Sequence, residues 1–171
     1  MKLTTKQLTL CAMLTAMALA LSYLENFFPL SLAIPIPGVK LGLANIVTVF
    51  ALYALGPAQA LLILAARCLL GAMFAGNMNA LLFSLMGGAA AMLAMTALVR
   101  LRRLSVYGVS VGGAAAHNCG QVGAAVLTLG NTAPLYYLPV LLGVSLLTGA
   151  LTGLVSACLF QALAHTDFMK G

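Results

Sequence analysis

Acidic residues are almost absent from this sequence. Asp and Glu together number 2 among 171 residues, namely Glu25 and Asp167. Glycoside hydrolysis and magnesium sites built from several carboxylates both need acids that converge, so neither kind of site is expected. A proton or sodium relay inside a membrane also needs acids, and the apolar segments have none at their centres. The scarcity of acids predicts a protein that is not an enzyme and that binds no metal or cofactor.

Charge of either sign is also scarce. Charged residues make up 6% of the chain and hydrophobic residues 63%, with a mean hydropathy of +1.12, whereas soluble domains carry about 25% charged residues. Such a chain cannot cover its surface with polar groups, so lipid is its expected solvent. At about 20 residues per span, we predict an all-α polytopic membrane protein, a bundle of about six transmembrane helices that forms one domain over residues 1–171.

Motifs for nucleic acid, nucleotide and metal are missing. The formal net charge is +6, but the Lys and Arg residues are scattered and form no groove for nucleic acid. The sequence has no G-x-x-x-x-G-K-[ST] loop, so ATP-driven work needs separate ATPase subunits. The four cysteines stand singly without a C-x-x-C pair, and we interpret them as small core residues.

Breaks marked by Pro, Gly, Asn and charge divide the chain into predicted helices. These cover residues 6–25, 39–55, 57–75, 79–99, 107–129 and 134–163. The first connection contains Pro29, Pro35 and Pro37, which favour an extended loop. The first stretch resembles a signal peptide, but its long apolar run and the spans that follow favour a retained helix.

Basic residues predict the orientation, because Lys and Arg are enriched on cytoplasmic ends. With the N-terminus inside, six spans place on the cytoplasmic side Lys2, Lys6, Arg100, Arg102, Arg103 and Lys170. Lys40 then falls near the outer surface, and Arg67 lies within the third span. We therefore expect a multi-pass protein of the cell membrane with both termini in the cytoplasm.

Small residues recur at every fourth position on three predicted helices, a spacing that lets backbones approach closely in lipid. The rows are Ala12, Ala16 and Ala20 on the first helix, Gly112, Ala116, Gly120 and Ala124 on the fifth, and Ser145, Gly149, Gly153 and Ala157 on the sixth. Two interpretations stay open: packing within the bundle or, for the first row above all, docking of a separate membrane subunit.

Arg67 is a charge placed deep in a predicted span. Such a charge costs about 2.5–3.5 kcal/mol even on the scale derived from translocon insertion, which gives the lowest values, so it needs a partner. Arg67 lies about 12 Å below the outer end of the third helix if that helix ends near Ala75. Either it pairs with helix-end carbonyls or with Glu25 to hold the bundle, or it meets an anionic or carbonyl-rich ligand that enters from outside.

Three polar residues cluster on the fifth predicted helix. His117 and Gln121 are four residues apart and share a face, with Asn118 beside them. Polar side chains in a span are costly unless they bond to each other, to neighbours or to a ligand. They are therefore either a bond between helices or part of a ligand site.

Further polar residues gather towards the predicted outer half. Asn77, Asn79 and Asn131 are typical turn formers, whereas Asn45 lies inside the second predicted helix, about one turn below Lys40. These groups suggest an exterior pocket beneath the proline-rich loop. The candidate ligand-binding residues are Arg67, Asn45, His117, Asn118, Gln121, Lys40, Glu25 and Asn79.

Several stretches resemble a known family. They are residues 37–48 (PGVKLGLANIVT), Arg67 with Gly71, residues 81–88 (LLFSLMGG) and residues 116–121 (AHNCGQ). Together they resemble the bacterial Gx transporter family, also labelled heptaprenyl diphosphate synthase component I, over nearly the whole chain. Chain elongation by helical prenyl synthases relies on aspartate-rich motifs, which are missing here. A role in that metabolism therefore implies handling a molecule while another subunit does the chemistry.

That family is similar in turn to the substrate-binding S components of energy-coupling factor transporters. This resemblance implies an S-component-like bundle with an outer pocket under the first loop, and an alanine row (Ala12, Ala16, Ala20) that contacts a transmembrane coupling subunit. The implied partners are a small-molecule ligand, membrane lipid, that coupling subunit and ATPase subunits.

Three functions compete at this point. The leading hypothesis is a substrate-binding subunit that takes up a small vitamin or cofactor precursor from the outer side. The second is a non-catalytic accessory subunit of a quinone- or isoprenoid-synthesis complex or of a redox complex, in which the polar cluster holds helices together. An enzyme acting on isoprenoid diphosphates comes last, because the acids are so few.

Overall fold

The computed structural model describes residues 4–25, 42–101 and 104–164, and the regular structure in these ranges is helical. Six α-helices and one 3-10 helix follow in order: α1 (Thr5–Leu24), α2 (Asn45–Ala54), α3 (Pro57–Ala75), α4 (Met78–Arg100), α5 (Val106–Leu129), the 3-10 helix (Ala133–Tyr137) and α6 (Leu138–Ala164). The predicted all-helical architecture is confirmed. Lys2, Lys40, Arg102, Arg103, Asp167 and Lys170 lie outside the described residues.

The helix ends follow local sequence chemistry. The Thr4 hydroxyl accepts a hydrogen bond from the Gln7 backbone N–H, and the Gln7 side chain accepts one from the Thr4 N–H, which forms a capping box at the start of α1. Pro57 opens α3, where its missing N–H costs no helical bond. Gly76 ends α3 with a φ of 59°, a left-handed conformation that glycine adopts without strain.

The helix α2 is short and central. The sequence predicted a helix over 39–55, but residues 42–44 form a turn and the helix begins at Asn45. Gly42 has a φ of 81°, which a right-handed helix excludes. At 10 residues, α2 is about 15 Å long, roughly half the thickness of a bilayer core. Residues 45–52 are buried, and α2 contacts each of the other five α-helices.

The other helices surround α2. The most extensive packing joins α4 to α5 and α5 to α6, while α3 packs against α1, α2 and α4. Small residues explain the close approach in the second half of the chain. A Cβ atom on Gly120 would lie 2.4 Å from the Met86 carbonyl oxygen, and one on Gly149 would lie 2.5 Å from the Val111 Cα. The small-residue rows of α5 and α6 therefore serve helix packing inside the bundle.

The alanine row of α1, unlike the rows of α5 and α6, is exposed on the surface of the bundle. Ala12, Ala16 and Ala20 are exposed, whereas Leu14 and Ala18 on the same helix are buried. The row therefore forms a flat strip of small side chains on the outside of the bundle.

Length and composition mark the chain as a membrane protein. Four stretches of the described residues are long and apolar enough to span a bilayer: Thr5–Leu24, Pro57–Ala75, Met78–Arg100 and Ala133–Ala162. The helix α5, with 24 residues, falls in the same range of length as these four stretches. It differs from them in carrying the adjacent polar residues His117, Asn118 and Gln121. Large apolar side chains cover the outside, for example Leu93, which is 74% exposed. An outer surface of this kind suits lipid.

All four cysteines are free thiols, two of them buried and two exposed. Cys11 and Cys68 are buried, as the sequence predicted, but Cys119 and Cys158 are exposed on the surface of the bundle. The expectation of four core cysteines was therefore wrong for these two. A small thiol costs little when it faces lipid, so composition did not distinguish the two positions.

Candidate functional site

A cavity of about 480 Å³ lies between α1, α3 and α4. Its walls come from the C-terminal ends of α1 and α3 and the N-terminal part of α4, which meet at one end of the bundle. The lining residues are Leu19, Ala20, Ser22, Tyr23, Arg67, Cys68, Gly71, Ala72, Phe74, Ala75, Ala80 and Ser84. Small-molecule sites in proteins enclose about 300–1,000 Å³, so the cavity has the size of a ligand site.

The Arg67 side chain lies in the wall of this cavity. The residue is 7% exposed, and its Nη1 donates a hydrogen bond of 3.3 Å to the Ser22 hydroxyl on α1. Within the described ranges, Nε and Nη2 have no hydrogen-bond partner. A buried donor without a partner costs about 1–3 kcal/mol, and more when it is charged. Both atoms are also covered, so the guanidinium is buried in the cavity wall with unused bonding capacity.

The remaining walls are small and mainly apolar. Gly71 and Ala72 leave room beside Arg67, since even a Cβ on Gly71 would lie 3.6 Å from its nearest neighbour, the Leu19 Cδ2. Tyr23 and Phe74 stand at the edge of the cavity, 68% and 81% exposed. Arg67 is the charged member of the lining. The cavity thus combines one cation with apolar walls and an aromatic rim.

Three other predicted site residues form a separate group. A Cβ on Gly87 of α4 would lie 2.9 Å from the His117 Cε1 and 3.0 Å from the Gln121 Cγ, and one on Gly42 would lie 3.0 Å from the Asn45 Nδ2 and 3.5 Å from the His117 Cδ2. His117, Gln121 and Asn45 are therefore buried together between α2, α4 and α5. None of the three lines the cavity beside Arg67. The sequence predicted one pocket for all of these residues, but in the described structure Arg67 lines the cavity and the other three lie in a separate buried group.

Asn118 links two helices. Its Nδ2 donates a hydrogen bond of 2.8 Å to the backbone carbonyl of Leu141 on α6, and both residues are buried. This contact is the bond between helices that the sequence left open as an alternative. The Asn118 side chain thus supports the α5–α6 interface.

Glu25 holds the turn before α2. Its buried carboxylate accepts a hydrogen bond from the Leu43 backbone N–H. This contact fixes the C-terminal end of α1 against the start of α2, across residues 26–41, which the structure does not describe. Lys40 lies in that segment.

Asn79 lies in the first turn of α4, two residues after the capping residue Asn77. It is exposed, and its backbone N–H donates a hydrogen bond of 2.9 Å to the Asn77 side chain, which caps the helix. The turn-forming role predicted for the asparagines therefore holds for Asn77, whereas Asn79 is part of the helix. Asn79 does not line the cavity, although Ala80 next to it does.

Sequence reasoning missed the hydroxyl groups of the cavity. Ser22, Tyr23 and Ser84 line it, and Ser22 accepts the bond from Arg67. Single hydroxyls in apolar helices are common and usually bond to the backbone of their own helix. Only the packing of α1 beside α3 distinguishes Ser22 from such residues.

The comparisons with known proteins identify the family. The sequence profile of the family described as heptaprenyl diphosphate synthase component I matches residues 14–159. That range includes Arg67, the cavity and the group around His117. No curated protein and no solved structure shows significant similarity to the chain. The family match agrees with the resemblance carried by residues 37–48, 81–88 and 116–121. This membrane protein therefore belongs to the heptaprenyl diphosphate synthase component I family.

Proposed function

We propose that this protein is the substrate-binding subunit of an energy-coupling factor type transporter, and that it takes up a small vitamin or cofactor precursor from the outer side of the bacterial cell membrane. The observation that carries the proposal is the cavity at one end of the bundle, with the buried guanidinium of Arg67 in its wall. In this proposal the six α-helices form the transmembrane bundle and both termini are cytoplasmic.

The distribution of basic residues supports an outer position for the cavity. Lys6 is exposed near the start of α1, and Arg100 is exposed at the end of α4. These two helix ends are opposite to the ends that form the cavity. Because Lys and Arg are enriched on the cytoplasmic side, the end with Lys6 and Arg100 faces the cytoplasm and the cavity faces outwards.

The exposed alanine strip of α1 supports a coupling partner. Ala12, Ala16 and Ala20 offer small side chains against which another membrane helix can pack closely, and Ala20 also borders the cavity. The sequence carries no nucleotide-binding loop, so the energy for uptake comes from ATPase subunits bound through a transmembrane coupling subunit. The same contact transmits movement to the bundle that holds the ligand.

The chemistry of the cavity supports binding rather than catalysis. Glu25 is the one acid among the described residues, and its carboxylate accepts the Leu43 N–H instead of lining the cavity. Diphosphate chemistry with magnesium needs several carboxylates around the metal. We therefore propose a protein that is not an enzyme.

The family description favours a second candidate function. A non-catalytic accessory subunit of a quinone- or isoprenoid-synthesis complex, or of a redox complex, is consistent with membership in a family described as a synthase component. In that case the alanine strip docks a membrane-bound synthase or oxidoreductase, and the cavity holds or hands over its substrate.

Purification from native membranes discriminates the two functions. The tagged protein is extracted in mild detergent, and mass spectrometry identifies the proteins and small molecules that remain bound. We expect a transmembrane coupling subunit with ATPase subunits and a small molecule that is lost in Arg67→Met but kept in Arg100→Met, a control that removes an exposed arginine far from the cavity. Recovery of a prenyl synthase or oxidoreductase, without ATPases, would reject the transporter role in favour of the second function.

A further inference from the structure

The unused donors of Arg67 lie on one edge of its guanidinium. Nη1 is bonded to Ser22, whereas Nε and Nη2 have no partner within the described ranges. In a planar guanidinium, the Nε–H and one N–H of Nη2 point in nearly the same direction and form a fork. That fork matches the spacing of two oxygens of a carboxylate or a phosphate, which it binds through two parallel hydrogen bonds. The contact with Ser22 engages the opposite side of the plane, and the fork itself is covered in the ligand-free structure.

The charge of the cavity selects the sign of its ligand. Arg67 is the one charged residue in the described lining. The carboxylate of Glu25 is engaged by the Leu43 backbone. A cation in the cavity would meet an unneutralised guanidinium at low dielectric, where repulsion between like charges is strong. An anion would neutralise it.

The walls select the rest of the ligand. Beyond Arg67 they are formed by leucine, alanine and aromatic side chains, with the hydroxyls of Ser22, Tyr23 and Ser84 as further polar groups. The helices α1 and α4 each pack against α3 without an extended contact with each other. The cavity therefore lies in a cleft between them, with the exposed rings of Tyr23 and Phe74 at its edge. Tyrosine favours the boundary between lipid and water, so Tyr23 fits a position at that level.

We infer that the cavity takes an amphiphile with an oxyanion head, a carboxylate or a phosphate ester. The Arg67 side chain turns to bind this head through its Nε and Nη2 groups as a pair, while the apolar body lies against α3 and α4. The inference rests on the proposed function, because it names the ligand class of the same site. It distinguishes that class from cationic and neutral precursors of similar size.

Titration calorimetry on the full chain in nanodiscs of zwitterionic lipid tests the ligand class. The probes are octanoate, octyl phosphate, octanol and octyltrimethylammonium, which share one apolar chain and differ in the head group. We expect the two anions to bind at least about tenfold more tightly than the alcohol and the ammonium, since charge-assisted pairs exceed neutral ones. Equal binding of all four probes, preference for the ammonium, or failure of both anions to bind would overturn the inference.

Variants test the fork itself. Arg67→Lys keeps the positive charge but lacks the paired donors, so we expect octyl phosphate to bind about 10- to 100-fold more weakly. Arg100→Lys makes the same change at an exposed site away from the cavity and should bind octyl phosphate as the wild type does. Wild-type affinity in Arg67→Lys would show that charge alone suffices and would overturn the paired contact. The probe series on the unmutated chain remains decisive if the variant does not fold.

A comparison of lipid compositions identifies whether the oxyanion belongs to a lipid or to a soluble molecule. Nanodiscs that contain phosphatidic acid are compared with purely zwitterionic ones. Competition with octyl phosphate supports a lipid head group as the occupant, and lack of competition supports a soluble amphiphile. Both outcomes are consistent with an oxyanion as the bound group.

The ligand class and the transporter role can fail separately. If neutral or cationic probes bind independently of Arg67 while the coupling and ATPase subunits still co-purify, this inference fails and the proposed transporter stands. If those subunits are absent while the anions bind, the transporter proposal fails alone.

Discussion

Arg67 combines two properties that rarely occur together in a stable core. It is nearly buried, and two of its three guanidinium nitrogens have no partner in the described part of the chain. A residue kept for stability would have its donors satisfied, because each unsatisfied buried donor costs about 1–3 kcal/mol. Proteins retain such costs mainly where function requires them. The side chain therefore fits a role in binding better than a role in holding the bundle.

Replacing Arg67 with Met tests this interpretation through stability. We expect the ligand-free variant to be as stable as the wild type or more stable by roughly 1–3 kcal/mol, since the substitution removes the unsatisfied buried donors and keeps the apolar volume. Thermal unfolding followed by circular dichroism in detergent measures the change. Arg100→Met, which removes an exposed charge, should shift the free energy of unfolding by less than about 0.5 kcal/mol. A marked loss of stability in Arg67→Met alone would assign Arg67 a structural role.

At the scale of helices, α4, α5 and α6 form the tightly packed part of the bundle. Their contact depends on glycine because lipid supplies no hydrophobic driving force between helices, so close packing must hold them together. The polar contact from Asn118 to the Leu141 carbonyl adds a directional bond at the same interface. The helix α1, by contrast, buries Ala18 but exposes Ala12, Ala16 and Ala20, of which Ala20 also borders the cavity.

Gly120 and Gly123 form a matched pair on α5. A Cβ on Gly120 would lie 2.4 Å from the Met86 carbonyl oxygen, which is backbone, whereas one on Gly123 would lie 3.5 Å from the flexible Met86 Cε. We expect Gly120→Ala to destabilise the protein by about 1–3 kcal/mol, because α4 and α5 must move apart. Gly123→Ala should be neutral or slightly stabilising, since alanine favours the helix. Unfolding in a denaturant series compares the two, and equal stability would contradict the described α4–α5 contact.

The exposed alanine strip of α1 is the surface at which a substitution should prevent binding of the proposed coupling subunit. Ala16→Leu adds bulk to the exposed row, so we expect the transmembrane coupling subunit to be lost from purified complexes while ligand binding and folding are kept. The control is Ala150→Leu, which adds the same bulk at an exposed position of α6. Quantitative mass spectrometry of co-purified subunits measures the result. Equal retention of the partner by both variants would reject the strip as the docking surface.

For the whole molecule, orientation in the membrane decides whether the cavity can receive a ligand from outside. Thr132 and Leu104 are exposed at opposite ends of α5, close to the predicted outer and cytoplasmic surfaces. In a chain whose four cysteines are replaced by alanine, Thr132→Cys should react with a membrane-impermeant maleimide on intact cells. Leu104→Cys should react only after permeabilisation. Reaction of Leu104→Cys but not Thr132→Cys on intact cells would invert the topology and place the cavity on the cytoplasmic side.

The sequence by itself determined the solvent and the architecture. A chain with 6% charged and 63% hydrophobic residues cannot bury its apolar surface against itself, and in lipid its backbone must bond internally, which leads to helices. The cost of a cation in a span also marked Arg67 as a site candidate before any fold was known. Helical spacing revealed the small-residue rows, since it follows from the geometry of a single helix.

Tertiary structure decided how those residues combine. Helical periodicity states which side chains share a face, but not which helix that face meets. Arg67 and His117 were therefore grouped by predicted depth, whereas packing places Arg67 beside Ser22 and His117 beside Asn45 and Gly87. The outward direction of the α1 row and the central position of α2 depend in the same way on contacts between helices. Such contacts join residues far apart in the chain, and no local pattern encodes them.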